Sequence, residues 1–323
     1  MEFFKYKQPI DFMGKSKIAM AVSIILILAS YAILATKGLN YGIDFAGGTI
    51  VQVKYDTKAP IKAMREKLQA DKLFDGASIS EFGSPDEVVI RMKTSSASVA
   101  KDIGDVARAA LQGTGNFTIR RVDIVGPKVG SELKEKGLMA LFLSIAAILV
   151  YVAFRFEWRF AVASIAALVH DVSIAMGAVA LFQIDVNLDV LAAILTLLGY
   201  SLNDTIIVFD RIREGITKSK KANLTEIINE SITRTLARTT LTSLTTFFVV
   251  FTLFMFGGEI IHAFAFTLLV GIIVGTYSSV FVASPLLILF GFDVKNYHAK
   301  LAEKAKREAE KNRMREQFES GVM

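Results

Sequence analysis

Long apolar runs alternate with polar stretches along this chain, and the runs set its class. Six of them, at 18–36, 138–154, 160–182, 190–209, 239–256 and 263–290, come close to the ~20 residues a helix needs to cross a bilayer. They predict an α-helical membrane protein with six transmembrane helices and exclude a soluble enzyme. The first run is too long for the apolar region of a signal peptide, and no A-x-A site follows it. It reads as a retained anchor.

Between the first and second runs the period changes. Residues 49–55 (TIVQVKY) alternate at period two, as a half-buried strand does. Ala59-Pro60 opens a helix to about Leu73, with proline in the first turn where its missing N–H is harmless. Residues 77–82 and 87–92 read as strands around the turn cluster Gly83-Ser84-Pro85-Asp86. A helix over 98–111, closed by Gly113, and a last strand over 117–125 complete the unit. The order β-α-β-β-α-β is the split βαβ, or ferredoxin-like, arrangement. The expected organisation is an N-terminal segment 1–17, a first transmembrane helix 18–36, an inserted α+β domain 37–136, helices two to six over 137–290, and a basic tail 291–323.

Two glycine-rich pieces flank the inserted domain, Tyr41-Gly42-Ile43-Asp44-Phe45-Ala46-Gly47-Gly48 before it and Val125-Gly126-Pro127-Lys128-Val129-Gly130 after it. Glycine there permits positive φ where the domain meets the membrane. Gly42, Asp44, Gly47 and Gly48 are candidates for a hinge at the domain's entrance, and plain tight turns account for them equally well.

Composition and charge refine the topology. Of 323 residues, 53% are hydrophobic and 21% charged, there is no cysteine, and the net charge is +6. The absence of cysteine removes disulfides, thiol chemistry and thiolate metal sites. Placing the N-terminus inside puts seventeen Lys and Arg in the loops 155–159 and 210–238 and the tail, and none in the short outer loops 183–189 and 257–262. That asymmetry satisfies the positive-inside rule, from which a long translocated domain at 37–136 is exempt. The +6 is thus mainly topological, and a nucleic-acid partner is not expected.

Charges within the apolar runs carry the candidate chemistry, because an ionisable side chain there is costly. Asp204 lies in the fourth run, about 7–8 Å from its inner end at 1.5 Å per residue. Arg238 opens the fifth, so an Asp204–Arg238 pair at matched depth is expected, each offsetting the other's desolvation. Asp171 falls near the middle of the third run, with His170 pointing about 100° away round the helix. Desolvation favours the protonated form of a carboxyl and a nearby guanidinium the ionised one. Separating and re-pairing Asp204 and Arg238 would therefore move a proton, whereas a permanent pair would be structural. The fifth run also holds Thr239, Thr240, Thr242, Ser243, Thr245 and Thr246, either helix–helix glue or a water-lined path. Thr242 and Ser243 are candidate assistants, and Asn203 a candidate for orienting the Asp204 carboxylate. The small-residue stripe Gly271, Gly275, Ser279, Ala283 in the sixth run predicts close helix packing.

Other energy sources lack a signature. Gly14-Lys15-Ser16 resembles the end of a phosphate loop, but Pro9 stands where its first glycine belongs, and no G-x-x-x-x-G-K-[ST] occurs. His170, His262 and His298 share no metal-ligand spacing, so neither metal nor cofactor is expected. The tail alternates acidic and basic residues and reads as a solvated helix or arm near anionic lipid.

Taken together, Gly42-Ile43-Asp44-Phe45-Ala46-Gly47-Gly48, Val125-Gly126-Pro127, His170-Asp171-Val172, the run from Gly199 through Asn203-Asp204-Thr205 to Asp210-Arg211-Ile212-Arg213-Glu214, and Arg238-Thr239-Thr240-Leu241-Thr242-Ser243 resemble the SecF subunits of the SecD/SecF family of bacterial protein export. The likeness covers nearly the whole chain, and the 100-residue domain and the DRIRE run suit SecF better than SecD. Phe209, where some relatives carry Ser, is a minor departure. The resemblance implies an RND-like half with a periplasmic ferredoxin-like domain, in the inner membrane with both termini cytoplasmic. It implies SecD, the SecYEG channel and SecA as partners, and a preprotein handled on the outer side at the expense of the proton-motive force. It makes Asp204 and Arg238 the proton-pathway pair, and the position of Asp171 deep in the third run makes it a candidate assistant to them. Na⁺ suits a carboxylate with hydroxyls as well as H⁺ does. Half of an RND-type small-molecule or lipid exporter, and a passive assembly factor of the translocase, are the competing readings.

Overall fold

The computed structural model describes residues 8–71, 74, 76–92, 103–218 and 223–319. Among these described residues six helices are long and apolar enough to cross a membrane, which matches the six runs read from the sequence. They are built on α1 (Ser16–Lys37), α5 (Pro127–Arg155), α6 (Trp158–Leu181), α7 (Leu188–Lys218), α8 (Leu224–Phe256) and a composite last span. That span runs through α9 (Gly258–Ser278), a π-helical turn (Ser279–Ala283) and α10 (Ser284–Leu289). Pro285, which has no N–H to offer the preceding turn, sits at the start of α10, and the chain widens just ahead of it. A further helix, α11 (Val294–Glu319), follows.

The helices α7 and α8 run well past the expected ends at Phe209 and Thr239. Their extensions are amphipathic. Phe209, Ile212 and Ile216 on one helix and Ile227, Ile228 and Ile232 on the other are buried together. Their polar sides carry i,i+3 and i,i+4 ion pairs, including Arg213–Asp210 at 3.0 Å, Lys218–Glu214 at 2.6 Å and Arg234–Glu230. A hydropathy run ends where polar residues begin; the helix does not.

The segment before α1 is tied to α8. Asn229 Oδ1 accepts from the backbone N–H groups of Phe12 and Met13, and Thr233 Oγ1 from that of Ile10. These bonds occupy the donors a phosphate loop would need free. Hydrogen bonds from the Gly14 N–H and the Asn229 amide hold the exposed Asp11 carboxyl below its ordinary range.

The inserted domain keeps the expected strand order. Strands β1 (Gly48–Tyr55), β2 (Ser78–Phe82), β3 (Ser84–Met92) and β4 (Phe117–Val125) form one sheet in the order β2-β3-β1-β4, every neighbouring pair antiparallel. With the helices α3 (Ile61–Gln69) and α4 (Ile103–Ala110) this is the split βαβ topology. Val51, Val53 and Tyr55 alternate onto the helix-covered face, where Met64, Leu68, Ile103 and Ala107 meet them. The β2–β3 turn is tighter than expected: Gly83 alone reverses the chain at φ +72° and β3 starts at Ser84. Pro85 is tolerated because the pairing with β1 begins only at Glu87. Of the expected helices, Leu73 and 98–102 lie outside the described residues.

A short helix, α2 (Ile43–Ala46), joins domain to bundle. The backbone of Asn40 and Gly42 bonds both sides of Val186 in the α6–α7 loop. Arg91 of β3 makes a 3.3 Å ion pair with Asp185 of the same loop. Asp44 Oδ2 accepts from the Leu188 N–H at 3.0 Å, so a residue from outside α7 caps its N-terminus.

Candidate functional site

Within the bundle α7 presents Ser201, Asp204 and Thr205 at i, i+3 and i+4, one inward face, and all three are buried. Each meets a different helix. Ser201 Oγ donates to Asp171 Oδ2 on α6. Asp204 Oδ2 accepts from Ser243 Oγ of α8 at 3.0 Å. Thr205 Oγ1 lies 3.0 Å from Ser279 Oγ at the start of the π-helical turn.

The side chain of Asp204 is 1% exposed, and its second oxygen, Oδ1, is buried without a hydrogen-bond partner. One turn earlier on the same face, the Tyr200 hydroxyl is also buried and unpartnered. Ser243 in turn accepts from Thr276 Oγ1 of α9 at 2.8 Å. Two residues on, Ser278 Oγ donates to Asp171 Oδ2 at 2.9 Å. Two residues of α9 thus reach both carboxyl sites, Thr276 through Ser243 and Ser278 directly. The close approach depends on glycine: a Cβ at Gly275 would lie 3.1 Å from that of Ser201 and 3.5 Å from Asp171 Oδ2. A Cβ at Gly271 would meet Leu197 at 2.6 Å, so the small-residue stripe packs α9 onto α7.

The expected Asp204–Arg238 pair is not formed. Ser243, not Arg238, stands level with Asp204. Arg238 lies five residues earlier, about 7.5 Å along the axis and about 140° round the helix. It is exposed on the outer face of α8, and among the described residues it makes no ion pair. The mismatch lies in the spacing itself: Asp204 is five residues inside Phe209 whereas Arg238 opens its run, so the position level with Asp204 falls about five residues further along α8, at Ser243.

Asn203, 100° round α7 from Asp204, is exposed and does not orient the carboxylate. Thr242 returns its hydroxyl to the Arg238 carbonyl of its own helix at 2.8 Å. Thr239, Thr245 and Thr246 likewise bond carbonyls of α8, which leaves Ser243 as the crossing hydroxyl among them. Asp171 is fully buried near the middle of α6, as expected. His170, placed by simple helix geometry on another face, in fact turns Nδ1 to within 2.8 Å of Asp171 Oδ1. Residues on adjacent helical positions can meet when one side chain is long enough to curl back.

The α9 hydroxyls were not legible as site residues, although Thr276-Tyr277-Ser278-Ser279 is a run of four hydroxyl side chains inside an apolar span. Among the described residues no cluster of three or more His, Asp or Glu is arranged to hold a metal. At the domain junction Gly47 and Gly48 take φ of +73° and +143°. A Cβ on Gly47 would lie 2.9 Å from Pro127 Cα, and one on Gly42 would collide with the Asn187 side chain. These glycines permit close contact between segments as much as a turn.

The chain is similar to known proteins in sequence and in overall structure. The sequence model of the family described as protein export membrane protein SecD/SecF, C-terminal, matches residues 106–293, and that of the SecD/SecF GG motif matches 32–59. The chain is 49% identical over 321 residues to the protein translocase subunit SecF of Helicobacter pylori strain J99, covering 99% of each. With SecF of Calditerrivibrio nitroreducens it shares 48% identity over 294 residues, covering 90% of this chain and 96% of the relative. It is also similar to the crystal structure of SecDF from Thermus thermophilus, a translocon-associated membrane protein, at TM-score 0.79 and 34% identity over 88% of this chain. The chain spans 39% of that longer one.

Proposed function

The chain belongs to the SecD/SecF family of protein-export membrane proteins, and we propose that it works with a SecD subunit to couple proton flow to preprotein export. In this reading it is a multi-pass inner-membrane protein with both termini in the cytoplasm and residues 37–136 in the periplasm. The basic loops and tail support that orientation. The SecYEG channel and SecA complete the machine.

One observation carries the proposal: the buried Asp204 has a free oxygen inside an apolar bundle. A proton can bind Oδ1 without breaking the Ser243 bond to Oδ2. When the carboxyl ionises, Oδ1 needs a donor, and supplying one requires the helices to move. Ser243 is shared with Thr276, so the demand reaches α9, where Ser278 holds Asp171 and the π-helical turn begins. Such a turn is a natural place for helix register to change. The periplasmic domain would follow, because its β3 and α2 are fastened to the α6–α7 loop.

Arg238 has its role at the surface of α8. It shares a face with Leu241 and Phe248, both exposed, and a guanidinium within a span demands a counter-charge. The reading places that face against SecD, whose carboxylate would answer Arg238 in one state and release it to gate Asp204 in another. Arg238→Leu then cuts gradient-stimulated export about tenfold or more, because the carboxylate that answers it within the membrane would be left without its counter-charge. Arg238→Lys retains part of the response.

The direct test is export by membranes holding the full chain with its SecD partner, with the proton and sodium gradients collapsed separately. Loss of the stimulated rate with the proton gradient supports the reading. Loss only with the sodium gradient assigns Na⁺ as the coupling ion, and indifference to both removes the energy-coupling role.

A further inference from the structure

His170 is 2% exposed, and its Nε2 is buried with no hydrogen-bond partner. Its other ring nitrogen lies 2.8 Å from Asp171 Oδ1. The opposite oxygen of Asp171 accepts from Ser201 and Ser278. Ser201 and Ser278 donate to Asp171, and the Nδ1–H tautomer of His170 adds a third donor, a set that suits an ionised carboxylate, which only accepts. With Nδ1–H donating to it, the single site of the pair able to gain a proton without breaking an existing bond is Nε2.

We propose that His170 and Asp171 together hold one transferable proton, taken up on Nε2, in a second proton-holding centre distinct from Asp204. The proposal rests on the reading of the chain as a proton-driven translocase subunit. In the loading step a proton delivered by water bonds to the Nε2 lone pair, the imidazole becomes an imidazolium, and the Nδ1–H···Oδ1 bond is kept. The unloaded pair carries one negative charge and the loaded pair none, so loading removes a net charge from the bundle. Release reverses the step.

The surroundings fit a carrier better than a fixed ion pair. Tyr277 of α9 stacks on the imidazole at 6.2 Å, donates its hydroxyl to the Ala19 carbonyl and accepts from Ser23 of α1. These hydroxyls border the pair on the α1 side, whereas Thr276 serves Asp204 on the α8 side. From α1, Tyr31 reaches Ser173, one turn of α6 beyond. From α7, the further acid is Asp204, one turn from Ser201. Among the described residues no Lys or Arg pairs with Asp171, and neither α5 nor α10 places a charged group against it.

The test uses the full chain in lipid vesicles, with nitrogen-15 in its three histidines, followed by nuclear magnetic resonance between about pH 5 and pH 8. His170→Gln assigns the His170 signal. The expected result is reversible protonation at Nε2 that Asp171→Asn displaces along the pH axis. A His170 ring whose protonation never changes across the range overturns the proposal. So does a His170→Gln variant with wild-type export and pH profile, since Gln can still donate to Asp171 but cannot carry the proton. The expected variant loses gradient-stimulated export about tenfold or more, with a flattened pH profile. The resonance readout needs no export, so it separates failure of this centre from failure of the translocase reading, which Asp204→Asn addresses.

Discussion

Asp204→Asn is expected to reduce export to the level measured with the proton gradient collapsed, while export that does not draw on the gradient continues. Asparagine keeps the shape of aspartate and can still accept from Ser243, so bundle stability should change by less than about 1 kcal/mol, the net worth of one hydrogen bond. What it cannot do is bind and release a proton on Oδ1. Removing a positioned proton carrier typically costs a factor of about 10²–10⁴ in the step it serves, which is large enough to erase the gradient-dependent component. Ser243→Ala is the contrasting variant. It deletes the neutral partner and leaves the carboxyl, so the response should weaken yet persist. Thermal unfolding in detergent checks that both variants are intact. A wild-type response from Asp204→Asn would show that the carboxyl does not carry the coupling proton.

The reach of the sequence can be traced residue by residue. Strand order and the six spans were readable because both depend on period and length, which lie within a single segment. Asp204 and Asp171 stood out because a lone acid interrupts an apolar run. Their partners were harder to read. Pairing across helices depends on azimuth and register: Arg238 sits five residues nearer the inner end than Ser243 and about 140° round α8 from it, so the hydroxyl and not the guanidinium meets Asp204. His170 escaped because a 100° step between neighbours describes Cβ directions and not where a ring nitrogen ends. Thr276 and Ser278 escaped because a hydroxyl in an apolar helix is most often bonded to its own backbone, as Thr242 and Thr246 are here.

Gly48→Val is expected to be the most damaging single change at the domain junction. Two independent penalties meet there. Gly48 has φ +143°, which an L side chain adopts only at about 1–3 kcal/mol. A Cβ would also lie 2.5 Å from the Met92 carbonyl oxygen and 3.2 Å from Ile43 Cγ2. Met92 cannot retreat, because it is paired with Thr49 in the β1–β3 ladder, while Gly48 itself pairs with Val125 on the other side. Relief therefore means opening the sheet end or displacing α2 from the bundle, and a β-branched residue worsens both. The combined loss should exceed about 3 kcal/mol. Gly83 supplies the control, since it has φ +72° with open space around its missing Cβ. Gly83→Ala should cost only about 1 kcal/mol, the backbone part alone. Gly48→Ala should fall between Gly83→Ala and Gly48→Val. Limited proteolysis of residues 37–136 in the full chain reads the order, and export reads its consequence. If α2 transmits motion between bundle and domain, Gly48→Ala should impair the gradient response well before the transmembrane helices lose stability. Equal effects for Gly48→Ala and Gly83→Ala would mean that the close contact with Met92 is not what the glycine serves.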